Sequence, residues 1–257
     1  MMRIIGIANQ KGGVGKTTTA INLSSALAHF KRRVLLIDLD PQSDATRGLG
    51  FDSSLLNRSI YDVLAGGYDI NKVLKRTALK YLDLVPSSLK LVSLDSILTD
   101  KVEDKTTILR EALKNLKKEY DYIIIDCPPS LGILNHNSMV ASHGILIPVQ
   151  CEYFALEAVA TTLAAISKVQ RSANPKLEIE GFLLTMYDSR TRLGTEITTQ
   201  IRGLFKENTF LATIPRNISI PESSSKGLPV TLYRPSSVGS LAYFSLAREV
   251  MDKEYTR

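Results

Sequence analysis

Ten residues near the N-terminus, Asn9-Gln-Lys-Gly-Gly-Val-Gly-Lys-Thr-Thr18, constrain this chain more than any other stretch of it. They stand between an apolar, β-forming run, Arg3 to Ala8, and a segment with helical spacing, Thr17 to Phe30. Gly12, Gly13 and Gly15 carry no Cβ, so the backbone N–H groups around them, that of Val14 included, can turn inward at the positive end of the following helix. Such a loop cradles phosphate oxygens. Lys16 and Thr17 then fall where a phosphate-binding loop needs them: the ammonium to meet β- and γ-phosphates of ATP, the hydroxyl to hold Mg²⁺, with Thr18 next to them also taken as an ATP contact. A glycine-rich turn that merely packs a helix on a strand is the competing reading, and the flanking strand and helix argue against it.

The rest of the chain repeats the strand-then-helix order. Short apolar runs recur at 3–8, 33–37, 82–86, 122–125, 145–149, 181–185 and 209–214, and most are separated by helical spacing, as at 17–30, 106–119, 156–171 and 194–205, with a last helix at 238–251. Strands apolar on both faces belong to a mainly parallel sheet covered by helices. The predicted fold is therefore α/β, a P-loop NTPase-like twisted sheet with helices on both faces, in one domain over residues 1–257. Ligands of such sheets sit beyond the carboxyl ends of the strands, so the residues just after each run are the ones to inspect.

Two of those positions carry carboxylates. After the second strand comes Asp38-Leu-Asp40-Pro-Gln42, and residues two apart on an extended stretch point the same way, here toward the nucleotide. Asp40 could orient the attacking water or help to organise the metal. Asp38 is expected to support the metal through water. The run Ile123-Ile-Ile-Asp126, followed by Cys127-Pro-Pro-Ser130, has the form of a Walker B element, with Asp126 holding a water of Mg²⁺ and the Pro128-Pro129 loop acting as a switch beneath the γ-phosphate. Cys127 reads as a small core residue, because no base is spaced to activate it.

Lys11 is more than an ordinary P-loop requires, since a second lysine would crowd Lys16 if both served one phosphate. The KGGxGKT arrangement resembles the deviant Walker A family that includes ParA, MinD and nitrogenase iron proteins. Asn9-Gln10, the Thr17-to-Leu23 continuation, Asp38-to-Gln42, Asp126-to-Ser130 and Ile214-Pro-Arg-Asn217 together resemble a ParA partition ATPase of the short form, along the whole chain. That resemblance implies that Lys11 reaches across a dimer interface to the other subunit's nucleotide and that Asp40 is the hydrolytic aspartate, so the catalytic set is Lys11, Lys16 and Asp40. It places Met186, Asp188, Pro215 and Pro221, with Arg216 beside them, near the adenine. The cofactors it implies are ATP and Mg²⁺. Its implied partners are a second copy of the chain when ATP is bound, non-specific DNA, and a ParB-like protein that stimulates slow hydrolysis. The implied location is the cytoplasm, on the nucleoid.

Composition agrees in outline. The net charge of +6 suits a polyanionic partner, two cysteines build no disulfide framework, and no apolar run is long enough to cross a bilayer. MinD adds an amphipathic membrane helix at its C-terminus, whereas this chain is read as stopping after a core helix, so no membrane contact is expected. Candidate DNA contacts are Arg190, Arg192, Arg202, Lys206, Arg216, Lys226 and Arg234. Many family members have an arginine where this chain has Ser219, which weakens or relocates that surface. Two rival readings share the fold: an ATPase that positions a protein assembly, and a metabolic P-loop enzyme that passes phosphate to an acceptor or drives a ligation.

Overall fold

The computed structural model describes residues 2–94, 105–152, 155–188 and 190–253. Eight strands form one sheet: β1 (Arg3–Ile7), β2 (Val34–Asp38), β3 (Lys75–Arg76), β4 (Leu82–Val85), β5 (Tyr122–Asp126), β6 (Gly144–Gln150), β7 (Glu178–Tyr187) and β8 (Thr209–Pro215). Their order is β3-β4-β2-β5-β1-β6-β7-β8. All neighbours pair in parallel except β3, which runs against β4. The seven apolar runs of the sequence are the seven parallel strands. β3 escaped because two charged residues on an edge carry no hydrophobic period.

Side-chain alternation divides the core into two. Ile5, Ile7, Val34, Leu36 and Ile124 point to one face, where helices α1 (Lys16–His29) and α10 (Val238–Asp252) cover them with Leu23, Leu27, Tyr243 and Leu246. Ile4, Leu35, Ile37, Ile123 and Ile125 point to the other face, against α4 (Ile108–Lys114), α5 (Ile133–Ala141), α6 (Ala155–Ser172) and α7 (Arg192–Phe205). Among the described residues, five α-helices lie outside the segments predicted to be helical: α5, already named, with α2 (Asp44–Gly48), α3 (Ile60–Gly66), α8 (Ser219–Ser225) and α9 (Val230–Tyr233). The helix expected over 106–119 is shorter, because the chain leaves it at Asn115 and returns to the sheet, where the Asp121 N–H bonds the Arg33 carbonyl at 2.7 Å. The last four residues of the C-terminal segment, 254–257, lie outside the described residues.

Register decides what meets at the carboxyl rim. Ile7 and Asp38 both lie opposite Asp126, so β1, β2 and β5 end level with one another. The loop after β1 therefore opens directly onto the two carboxylate-bearing strand ends.

The edge strand β8 is closed rather than left open for pairing. The Glu249 carboxylate of α10 accepts from Leu211 N and Ala212 N, each at 2.7 Å, and the Arg202 guanidinium donates to the Leu211 carbonyl. At the end of α7, Lys206 adopts φ 40° and ψ −118°, a conformation that costs a side chain energy. Lys206→Gly is expected to raise the unfolding free energy by about 1 kcal/mol, read from the urea midpoint at unchanged m-value.

Candidate active site

Gly15 caps α1 in the left-handed region, at φ 89°, and Gly13 has φ 75°. These angles, costly for any residue with a Cβ, turn the loop so that the N-terminus of α1 faces the carboxyl rim. The loop is fastened from both sides. Asn9 Nδ2 donates to the Pro148 carbonyl at 2.7 Å, its Oδ1 accepts from Lys11 N at 3.0 Å, and Thr185 Oγ1 donates to the Val14 carbonyl at 2.8 Å. Lys16 is buried, its Nζ 3.1 Å from the Lys11 carbonyl, and burial lowers its pKa while Asp126, Cys127 and Asp40 pull it back up.

Beside the loop lies a cavity of about 810 Å³. Gly12, Gly13, Gly15, Lys16, Thr17 and Thr18 line one side with Asp40 and Pro129, and the opposite wall includes Met186, Ile214, Pro215, Arg216 and Pro221. The structure thus brings together most of the residues singled out from the sequence. Val14 is buried beneath the loop and contributes only backbone. Asp188 does not line the cavity: its carboxylate grips Arg190 through bonds of 2.7 to 3.0 Å, which hold its pKa down to about 2. Ile218 and Tyr243, which sequence reasoning did not single out, add to the apolar wall, and Asn217, quoted only as part of a motif, stands beside them.

The three carboxylates differ sharply. Asp40 lines the cavity; its Oδ1 accepts from Gln42 N at 2.9 Å and its carbonyl accepts from Ser87 Oγ at 2.6 Å. Asp38 is fully buried and saturated, accepting from Asp40 N at 3.1 Å, Thr46 N at 2.8 Å and Thr46 Oγ1 at 2.7 Å. This corrects the expectation that Asp38 supports a metal: its oxygens are spent on folding the 38–46 turn that presents Asp40, and Thr46, eight residues away with no local signal, is the partner that decides it. Asp126 is also fully buried, yet neither of its oxygens has a hydrogen-bond partner among the described residues. Burial raises its pKa most, the Asp38 and Asp40 charges add to that, and the nearby Thr17 hydroxyl and Lys16 ammonium oppose it.

An orphaned carboxylate at the foot of a phosphate loop is suited to a cation or the water bound to one. Among the described residues no group of three or more His, Cys, Asp or Glu could hold a metal by itself. Cys127 is buried, donates to Ser138 Oγ at 3.0 Å, and has its pKa pushed up to about 12 by burial, so it is an inert thiol.

Lys11 does not line the cavity. Its Nζ pairs with Glu152 Oε2 at 3.0 Å. The seven basic residues considered for DNA fall into separate groups. Arg190, Arg192 and Arg216 follow β7 and β8 at the carboxyl rim, whereas Arg202 and Lys206 lie at the end of α7 that leads into β8, at the sheet's opposite end. Arg192 is paired with Glu196, and Arg234 reaches Ser219 Oγ at 3.3 Å.

This sheet order, with a glycine-rich loop between β1 and α1 and an Asp-terminated strand beside it, defines a P-loop nucleotide-binding protein. A family model described as an AAA domain matches residues 2–179. Sporulation initiation inhibitor protein Soj of Bacillus subtilis is 44% identical over 250 residues, 97% of this chain and 98% of that one. Chromosome partitioning protein ParA of Myxococcus xanthus is 45% identical over 252 residues, covering 98% and 89%. A Mycobacterium smegmatis structure named cobyrinic acid a,c-diamide synthase, with bound ADP and magnesium, superposes with a TM-score of 0.87 at 35% identity, covering 100% of this chain and 96% of that one. The chain belongs to the Soj/ParA family of chromosome-partitioning ATPases.

The buried charge of Asp126 should be measurable in stability. The folded chain holds this proton more tightly than the unfolded chain does, so the penalty is full above the raised pKa and fades as pH falls toward the ordinary carboxylate value. Asp126→Asn should therefore stabilise the nucleotide-free protein by roughly 1–3 kcal/mol at pH 8, and this gain should vanish as the melts are repeated toward pH 4.

Proposed function

We propose that this chain is a partition ATPase that binds ATP with Mg²⁺, closes into a dimer on DNA, and leaves the DNA when a ParB-like protein stimulates hydrolysis. The observation that carries the reading is the cavity itself, with phosphate-loop amides, Lys16 and Asp40 on one wall and an apolar surface fit for a base on the other. In this reading the N–H groups of Gly12 to Thr18 and the Lys16 ammonium take the β- and γ-phosphates. Thr17 and Asp126 serve Mg²⁺, directly or through its water, and Asp40 is near enough to organise the same ion. Once bound, the ion neutralises charge on the phosphate oxygens.

Asp40 is the group assigned to the attacking water. It sits at the cavity wall on a turn braced by Asp38, Thr46 and Ser87, which fixes where its carboxylate points. Met186, Pro215 and Pro221 would border the base, and Arg216 the nucleotide's outer edge. Met186 holds a left-handed backbone, φ 49°, at that wall, and such strain is commonly kept at ligand contacts. Lys11 would complete the other subunit's site, so that ATP favours the dimer over the monomers.

For DNA the reading favours the carboxyl-rim arginines, Arg190, Arg192 and Arg216, with Lys226 and Arg234 on the neighbouring C-terminal segment. The Arg234 guanidinium lies against the Ser219 hydroxyl, although the Glu222 carboxylate 3.7 Å away shares its charge. Arg202 and Lys206 are too far along the sheet to join that surface. No helix among the described residues is long and apolar enough to cross a membrane.

DNA binding by the purified protein, measured with ATP, ADP and no nucleotide over a salt series, tests the reading. Binding that needs ATP and falls steeply with salt is expected, and Lys16→Ala should abolish it. Asp40→Ala should lower the hydrolysis rate by about two orders of magnitude or more and leave the protein on DNA; normal turnover in this variant would remove Asp40 from its role. The ligation reading raised from the sequence, which the name of the M. smegmatis structure also suggests, predicts appreciable phosphate release with neither DNA nor partner protein.

A further inference from the structure

The lysine that the proposed cycle sends to the other subunit is tied down on its own. Lys11 Nζ lies 3.0 Å from Glu152 Oε2, and the pair is only partly exposed, the side chains at 28% and 44%. The other oxygen of Glu152, Oε1, accepts from Gln150 Nε2 at 2.5 Å and has an Arg216 nitrogen 3.9 Å away. Gln10 N donates to Thr162 Oγ1 of α6 at 3.3 Å, so the chain on either side of the β6–α6 connection holds the front half of the loop. The Lys11 backbone is equally occupied, its N–H by Asn9 and its carbonyl by Lys16.

We propose that Glu152 is an autoinhibitory latch that keeps Lys11 on its own chain in the free monomer and must release it before the dimer can close. The proposal rests on the reading of Lys11 as the residue that crosses to the other nucleotide. The ammonium has three donors, but reaching a phosphate across an interface draws the Lys11 side chain away from its own chain and so from Glu152. A two-fold dimer needs both lysines, so closure breaks two such pairs and any bias is squared. Arg216 gives the latch a link to the ligand: it lines the cavity and also approaches Glu152, so an anion that draws Arg216 inward withdraws a second cation from the carboxylate.

The test is the protein concentration at which a non-hydrolysable ATP analogue with Mg²⁺ drives dimer formation, followed by sedimentation velocity for the wild type, Glu152→Gln, Lys11→Ala and the double variant. Glutamine keeps the shape and removes the charge. Since a partly exposed pair contributes about 0.2–1 kcal/mol and two are broken, Glu152→Gln should dimerise at a concentration roughly two- to thirtyfold lower than the wild type. Lys11→Ala should not dimerise, and adding Glu152→Gln to it should restore nothing. A Glu152→Gln protein that dimerises no more readily than the wild type overturns the latch while leaving the ATP-dependent dimer intact. A wild type that never dimerises overturns the underlying reading instead.

Discussion

The carboxyl rim is organised around a buried carboxyl group whose oxygens have no hydrogen-bond partner among the described residues. Asp126 ends the central strand β5, fully buried, with β1 and β2 in register on either side. An unpaired buried carboxylate is costly, and the fold accepts that cost at the one place where a cation accompanying a phosphate chain would repay it. Its neighbours make sense in that light. Lys16 is buried close enough for the two charges to act on each other, whereas Asp38, the other buried acid, accepts from three donors of the turn that follows it, which offset only part of the burial that pushes its pKa up to about 7. Stability and ligand binding are thus opposed at this residue.

The phosphate loop is the rigid counterpart. Its left-handed glycines and its ties to Asn9, Pro148 and Thr185 hold the α1 N-terminus in place before any anion arrives, which reduces what binding must spend on ordering the loop. The other wall belongs to distant parts of the chain, β8 and the segment after it, so a nucleotide would join pieces of sequence some two hundred residues apart. Lys11 and Glu152 sit at the junction between the fixed loop and the surface where a second subunit would approach. A switch built there needs no large movement, only the exchange of one anionic partner for another.

Much of this was legible beforehand. The strands could be read because buried parallel strands need unbroken apolar runs, and Ile123-Ile-Ile or Val34-Leu-Leu-Ile37 leave little else to be. The capping box at α3, in which Ser59 and Asp62 bond each other's backbone, was also within reach of local reasoning and was not used. Helix α8 was not: Ser-Ile-Pro-Glu-Ser-Ser-Ser has poor helix propensity, and it forms because Ser219 and Ser223 are buried against neighbours remote in sequence. Asp188 was misplaced for a similar reason, since nothing in its own surroundings tells whether a carboxylate faces a cavity or an arginine two residues on.

By itself the sequence determined the seven parallel strands, the loop between β1 and α1, and the places of Lys16, Thr17, Asp40 and Asp126 just beyond strand ends, because each depends on residue type and on spacing within a single strand–loop–helix unit. Tertiary structure alone decided which acid is spent and which is free, that Lys11 is held by Glu152, and that the basic residues divide between the two ends of the sheet. Those outcomes depend on distances between segments far apart in the chain, set by register and packing, and no local pattern encodes them.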